Sequence, residues 1–339
     1  MDDSQDSGTQ TAYLGIDVGG TNIKAGVVDD DGTIISQASV PTEREQGPDH
    51  GIDQMVAAAH QAMRSTDYEL EQIPAVGLAT PGTMDIPAGM LLEPINLPGW
   101  DYFPVRQTLQ DRLERPTILQ NDANAAAYGE YWAGSARDAR SLIFYTLGTG
   151  LGGGIIIDDA IIEGRHSHGS ECGHVLIELD NGRYCNSGQY GTLEAYCSAT
   201  ALLRLFNEAI EAGRQSSVTG RLDDITALSP LLIAEEAEKG DDLSNELIME
   251  MARCLGAGIA STVHIIDPDI VLLGGAMTFG RYETDPGRRF LQRVTEEFQA
   301  RTFPTLAEEI SIDYATLGGN AGFIGAAGCA RRALLRGDI

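Results

Sequence analysis

Two stretches about 130 residues apart follow one pattern, and this repetition narrows the possible folds further than any other feature of the chain. The first is "YLGIDVGGTNIKAGVVDDDGTIISQASV", and the second is "SLIFYTLGTGLGGGIIIDDAIIEG". In the first, the run Tyr13–Val18 meets a Gly-Gly-Thr turn, continues as Ile23–Val28, turns at Asp29–Gly32 and resumes at Thr33–Val40. In the second, Leu142–Leu147 meets a Gly-Thr turn, then Gly154–Ile157, an Asp-Asp turn and Ala160–Ile162. β-branched runs punctuated by Gly and Asp read as meanders. Two such meanders with turns of one composition predict a duplicated architecture.

The residues between and after them alternate in type. Helical periodicity is expected at about 51–64, 103–113 and 123–133, and strands at 75–79 and 117–120. Further on, helices at about 193–212, 229–239 and 243–264 precede the apolar run "DIVLLGG". A helix at 290–300, a strand at 310–314 and a helix from Asn320 complete the pattern. Strands alternating with helices give an α/β fold, and the meanders make each sheet mixed.

Gly148, Gly150 and Gly153 have G-x-G-x-x-G spacing, but a β-branched strand follows where a dinucleotide fold needs a helix. No G-x-x-x-x-G-K-[ST] occurs, so a P-loop is excluded as well. The remaining reading is a turn whose backbone N–H groups converge on an anion. Gly148, Thr149 and Gly150 would form one phosphate turn, and Gly19, Gly20 and Thr21, with Asn22 and Lys24 beside them, the other. Asp17 ends the strand entering the first turn. A carboxylate there either caps the turn or faces phosphate across a cation, which points to Mg²⁺ held through water.

Asn121 and Asp122 of "ILQNDANAAAYGEYW" stand where a strand gives way to a helix. Asp122 there is either a helix cap or the base that takes a hydroxyl proton during phosphoryl transfer. The Asn121 amide suits a pair of sugar hydroxyls. Glu171, His174 and Glu194 lie among glycines at 169, 173, 188 and 191, in loops able to fold around a small ligand. Two carboxylates, an imidazole and an amide make a hexose-like hydrogen-bonding set.

A formal charge of −27 repels nucleic acid, so small ligands are the expected partners. No apolar run approaches the ~20 residues of a membrane span, and "MDDSQDSGTQT" is not a signal peptide. Five cysteines in this context read as reduced thiols, so the expected location is the cytoplasm.

The segments "DVGGTNIKAGVV", "NDANAAAYGE", "TLGTGLGGGI", "GSECGH", "GTLEAY", "VLLGG" and "NAGFIGAA" occur in an order that resembles the ROK family of sugar kinases and repressors, with ATP-dependent glucokinases the nearest in pattern. The resemblance runs from about Tyr13 to Ala330. It implies a duplicated actin/hexokinase-like (ribonuclease H-like) fold of two α/β domains with a ligand cleft. The expected division is a flexible acidic tail at 1–12, a smaller domain of 13–120 plus about 320–339, and a larger one of about 121–319. The implied reaction is transfer of the ATP γ-phosphoryl group to the 6-hydroxyl of D-glucose. The alternatives are N-acetylmannosamine, N-acetylglucosamine or fructose as acceptor, or a sugar-sensing regulator, which would carry an N-terminal DNA-binding domain. Asp122 matches the family's base. Asn121, Glu171, His174 and Glu194 match its sugar ligands, and Gly82 a backbone contact to the sugar. Homodimers or homotetramers are the implied assemblies.

One loop departs from the family pattern. Most members hold a structural zinc with one His and three Cys, in Gly-His followed by C-x-C-G-x-x-G-C. Here His174 and Cys185 remain, while Ser187 and Thr192 replace the other two thiolates. Neutral hydroxyls are poor zinc ligands, so the loop is expected to hold no zinc and to rely on packing by Tyr184, Tyr190 and Leu193. Cys172, His166 and His168 are the nearby residues from which a rearranged site would have to come.

Overall fold

Strands β1 (Ala12–Val18), β2 (Asn22–Asp29) and β3 (Ile34–Pro41) form the first meander, with Leu14↔Val27 and Ile16↔Ala25 paired between β1 and β2. The computed structural model describes residues 11–222 and 227–339, so the expected acidic tail falls almost wholly outside the described residues. Helix α1 (Pro48–Met63) follows, starting with Pro at its first position, where no N–H is needed. Then come β4 (Val76–Thr80), the short strands β5 (Met84–Asp85) and β6 (Met90–Leu91), α2 (Val105–Leu113), β7 (Thr117–Asn121) and α3 (Asp122–Trp132).

The second meander is β8 (Ser141–Leu147), β9 (Leu151–Ile157) and β10 (Ala160–Ile161). After it come α4 (Ala199–Glu211), α5 (Pro230–Glu238), α6 (Asp242–Ile266), β11 (Ile270–Gly275), α7 (Asp285–Arg301), α8 (Pro304–Glu309), β12 (Ser311–Tyr314) and α9 (Ala321–Arg336). The two five-stranded sheets have the orders β3-β2-β1-β4-β7 and β10-β9-β8-β11-β12. Both carry an antiparallel meander joined to two parallel strands, β1–β4–β7 in one and β8–β11–β12 in the other. The duplication expected from the paired turns is therefore a duplication of whole sheets.

Two compact units result. The first contains the described residues up to Asp138, Glu163–Gly169 and Gly319–Ile339; the second contains Ala139–Ile162 and Ser170–Gly318. The sequence opened the second unit at 121, whereas α3 packs against α9 and stays with the first. Close backbone approach explains the docking of α9. A Cβ at Gly15 would collide with the Phe323 carbonyl, and one at Gly77 with that of Ala326, so the helix lies directly on β1 and β4.

Each unit has its own core. Ile16, Ile23, Ile52, Met55, Leu78 and Trp100 are fully buried in the first. Tyr145, Phe206, Leu255, Ile259, Leu273 and Phe298 are fully buried in the second. Each such side chain contributes about 1.5–3 kcal/mol by leaving water, enough for either core to hold its sheet against its helices.

One helix starts later than the sequence suggested. The stretch expected to be helical from Leu193 makes a single 3₁₀ turn, Leu193–Ala195, and α4 begins only at Ala199. Ser198 is its cap, its hydroxyl accepting from Ala201 N at 3.1 Å. This break leaves Glu194 on a turn facing β9.

Candidate active site

The parallel strands of the first sheet carry the Asn-Asp pair. β7 ends at Asn121, beside Thr80 of β4, and α3 starts immediately after it. The cap is Asn121, not Asp122: its Oδ1 accepts from Ala123 N at 2.9 Å and Asn124 N at 3.2 Å. Its carbonyl oxygen is therefore engaged, and the amide NH₂ is the half left to face a ligand, in place of the donor–acceptor pair expected from sequence. Asp122 occupies the first helical position, with one oxygen accepting from Ala123 N at 2.8 Å. Gln120 braces the junction by accepting from Asn121 N at 2.8 Å and donating to Glu163 Oε1 at 2.8 Å. Neither Gln120 nor Glu163 was singled out from sequence, because the contact joins residues 43 apart.

Asp17 lies on β1 opposite Lys24 of β2. Its carboxylate sits against Gly322 in the first turn of α9, where a Cβ would collide with it. Burial pushes its carboxyl up to about 6, and the Lys24 ammonium pulls in the opposite direction. Lys24 Nζ donates to the Gly319 carbonyl at 2.6 Å, and an ammonium has two further donors. A partly buried acid with Lys24 as its counter-charge is a fitting neighbour for a hydrated Mg²⁺ ion. Gly82, at φ 95°, has the left-handed backbone that glycine tolerates, and Pro94 packs where its side chain would be.

Neither Gly-Thr turn uses left-handed backbone at its glycines. Gly19, Gly20, Gly148 and Gly150 are absent from the positive-φ residues. Gly19 N donates to Asn22 O at 2.9 Å and Gly148 N to Gly150 O at 3.0 Å, so each first amide closes its own turn. Gly20, Thr21, Thr149 and Gly150 supply the remaining amides. In the second turn, Ala199 N bonds the Gly148 carbonyl at 2.9 Å and Thr200 Oγ1 bonds that of Thr149 at 2.9 Å. The start of α4 thus fixes the shape of the turn.

Beside this turn the second unit contains a cavity of about 640 Å³. Ala199, Pro230, Leu231, Ala234, Met277 and Phe279 give it mostly apolar walls, and Glu235, Glu238 and Lys239 add charge. Its size and lining suit a nucleoside. Sequence reading missed it, because its walls come from the β8–β9 turn, α4, α5 and the segment after β11, more than 130 residues apart from end to end.

Glu171, His174 and Glu194 all belong to the second unit. Cys172–His174 form a 3₁₀ turn, and His174 Nε2 is 4.0 Å from Glu171 Oε2. Both oxygens of Glu194 are engaged: Leu151 N donates to Oε2 at 2.8 Å, and Cys185 Sγ to Oε1 at 2.9 Å. Each keeps a lone pair for a ligand. The loop carrying them is stapled by Arg204, which donates to the Tyr184 and Ala195 carbonyls, both at 2.8 Å. Tyr184 and Tyr190 stack edge to face at 5.2 Å, and Leu193 is fully buried.

The loop does not suit zinc. Of the family's four positions, two are hydroxyls, and the one thiol is bonded to Glu194 and Ser187. Thr192 Oγ1 and His174 Nδ1 are buried without a partner among the described residues, so no acceptor fixes the histidine tautomer from that side. Cys172 packs against Gly153, and burial pushes its thiol up to about 12, far from a thiolate ligand. His166 and His168 fall in the other unit. Among the described residues no group of three or more His, Cys, Asp or Glu is arranged to hold a metal ion.

The ROK family model matches residues 13–333. The chain belongs to the ROK family. It is 33% identical over 322 residues to a glucokinase of Streptomyces coelicolor, covering 94% of this chain and 97% of that one. A ROK glucokinase of Streptomyces griseus, solved in complex with glucose and AMPPNP, matches with a TM-score of 0.79 and 32% identity, over 95% of this chain and 99% of that one. A Salmonella typhi N-acetylmannosamine kinase is 28% identical over 314 residues, covering 93% and 96%. The two matched sheets are thus those of a ROK protein with the actin/hexokinase-like fold. No helix among the described residues is long and apolar enough to cross a membrane.

Proposed function

We propose that this ROK protein is an ATP-dependent glucokinase, transferring the γ-phosphoryl group of ATP to the 6-hydroxyl of D-glucose. The observation that carries the reading is the nucleoside-sized cavity opening beside the Gly148–Gly150 turn, on a chain 32% identical to a glucokinase crystallised with glucose and AMPPNP. In this reading adenosine occupies the cavity between α5 and the segment after β11. The free amides of both Gly-Thr turns bind the phosphates. Asp17 would hold Mg²⁺ through water, and the ion would supply charge stabilisation of the transferring phosphates.

Asp122 removes the 6-hydroxyl proton as that oxygen attacks phosphorus, so the proton ends on its carboxylate and ADP leaves. The capping bonds of Asn121 and the Gln120–Glu163 brace fix where that carboxylate points. Glu171, His174, Glu194, the Asn121 amide and the backbone at Gly82 hold the sugar hydroxyls. The similarity to an N-acetylmannosamine kinase keeps a second acceptor in view, since both sugars present a 6-hydroxyl to the same base. Phosphorus NMR of the products from glucose and Mg·ATP tests the reaction. Glucose 6-phosphate with equimolar ADP is expected; inorganic phosphate alone would mean an ATPase.

A further inference from the structure

We infer that Cys185 is a positioning residue for Glu194, its thiol serving as a hydrogen-bond donor in the place where zinc-holding relatives use a thiolate. This rests on the proposed role of Glu194 as a sugar ligand. Cys185 Sγ is 2.9 Å from Glu194 Oε1 and is almost fully buried, at 2% exposure. Ser187, at a position where the family pattern has a second cysteine, has its Oγ 3.0 Å from Cys185 Sγ and 2.5 Å from Gln189 Oε1, so the amide oxygen is the nearer acceptor for its one proton. The Ser187 hydroxyl thus packs against the sulfur, and the sulfur's own S–H goes to the carboxylate.

The other Glu194 oxygen accepts from Leu151 N at 2.8 Å, and Gly150 leaves no room for a Cβ beside it. The carboxylate is therefore fixed from two sides, by the β8–β9 turn and by Cys185. A zinc-bound thiolate has no proton to donate, so the metal and this bond are alternative uses of one sulfur. The tight turn that presents Cys185 closes on itself through Cys185 N to Gln189 O at 2.8 Å and Gly188 N to Cys185 O at 2.9 Å. Removing the metal ligands at 187 and 192 thus leaves a loop that aims the remaining sulfur at the sugar carboxylate.

Two readouts test this, and only the second depends on catalysis. A Raman difference spectrum between wild type and Cys185→Ala isolates one S–H stretch, expected at the low frequency of a bonded thiol and expected to rise in Glu194→Gln. No S–H band, or a band indifferent to Glu194→Gln, overturns the inference whether or not the chain phosphorylates a hexose. In kinetics, Cys185→Ala should raise the sugar KM about tenfold, the order of one bond to a charged group, with the ATP KM and melting temperature unchanged. Cys185→Ser, which restores a donor, should recover part of that loss. In a Glu194→Gln background the Cys185→Ala effect should vanish; an equal loss there would show a merely structural role.

Discussion

Replacing Asp17 with asparagine should make the apo protein more stable and less active. An acid whose carboxyl rises from 3.8 to about 6 on folding holds its proton more tightly in the folded state. At about 1.4 kcal/mol per tenfold change in proton affinity, charging Asp17 costs the fold about 3 kcal/mol. Solvent reaches part of this half-buried side chain, so about 2 kcal/mol is the working figure. Below about pH 4 the acid is protonated in both states and this stability is fully present. It is lost as the pH climbs through about 6. An asparagine amide does not titrate, so the Asp17→Asn variant should exceed wild type by about 2 kcal/mol at pH 8 and by roughly half of that at pH 5. Both tryptophans, Trp100 and Trp132, belong to the first unit, so urea unfolding followed by their fluorescence reports on the unit that holds Asp17. A variant less stable than wild type at pH 8, or a gap that ignores pH, would show that burial does not oppose the charging of Asp17. The accompanying loss of turnover would identify Asp17 as strain kept for Mg·ATP.

Asp122→Asn should lower kcat by roughly 10²–10⁴-fold and leave the sugar affinity, measured by calorimetry, nearly unchanged; near-normal turnover would reduce Asp122 to a first-turn residue of α3. Ala234→Trp should fill the cavity beside α5 and raise the ATP KM at least tenfold without changing the sugar KM, as read from initial rates over both substrates. Elemental analysis should find less than a tenth of a zinc per chain. Activity should also survive chelation of zinc in excess Mg²⁺; one tightly held zinc with activity lost would show that the 185–194 loop does hold the metal.

The meanders were legible because β-branched runs bounded by Gly and Asp leave few alternatives, and the identical sheet orders follow from reading both as one pattern. The start of α4 was not. Leu193 has the right apolar period, but its side chain is buried against Gly258, and the hydroxyl that caps the helix belongs to Ser198, further along the chain. Asn121 and Asp122 were both singled out, but either can cap a helix, and only the bonds to Ala123 and Asn124 separate them. The Gly-Thr turns were found from their composition, but their backbone was not legible. Gly19 and Gly150 serve close approach, Gly150 against Glu194, and none of the four turn glycines has positive φ. The cavity beside the Gly148–Gly150 turn was beyond sequence reading because its walls come from segments that only the finished fold brings together, and the Cys185–Glu194 bond because it depends on how one loop turns back on itself.

Initial rates over a panel of hexoses at fixed Mg·ATP test both the reaction and its acceptor. Wild-type protein should release ADP with glucose at a higher kcat/KM than with N-acetylmannosamine, N-acetylglucosamine or fructose, and Asp122→Asn should lower kcat with all four by roughly 10²–10⁴-fold. A higher kcat/KM for another member of the panel would contradict the acceptor, and no ADP release with any of them would contradict the kinase itself.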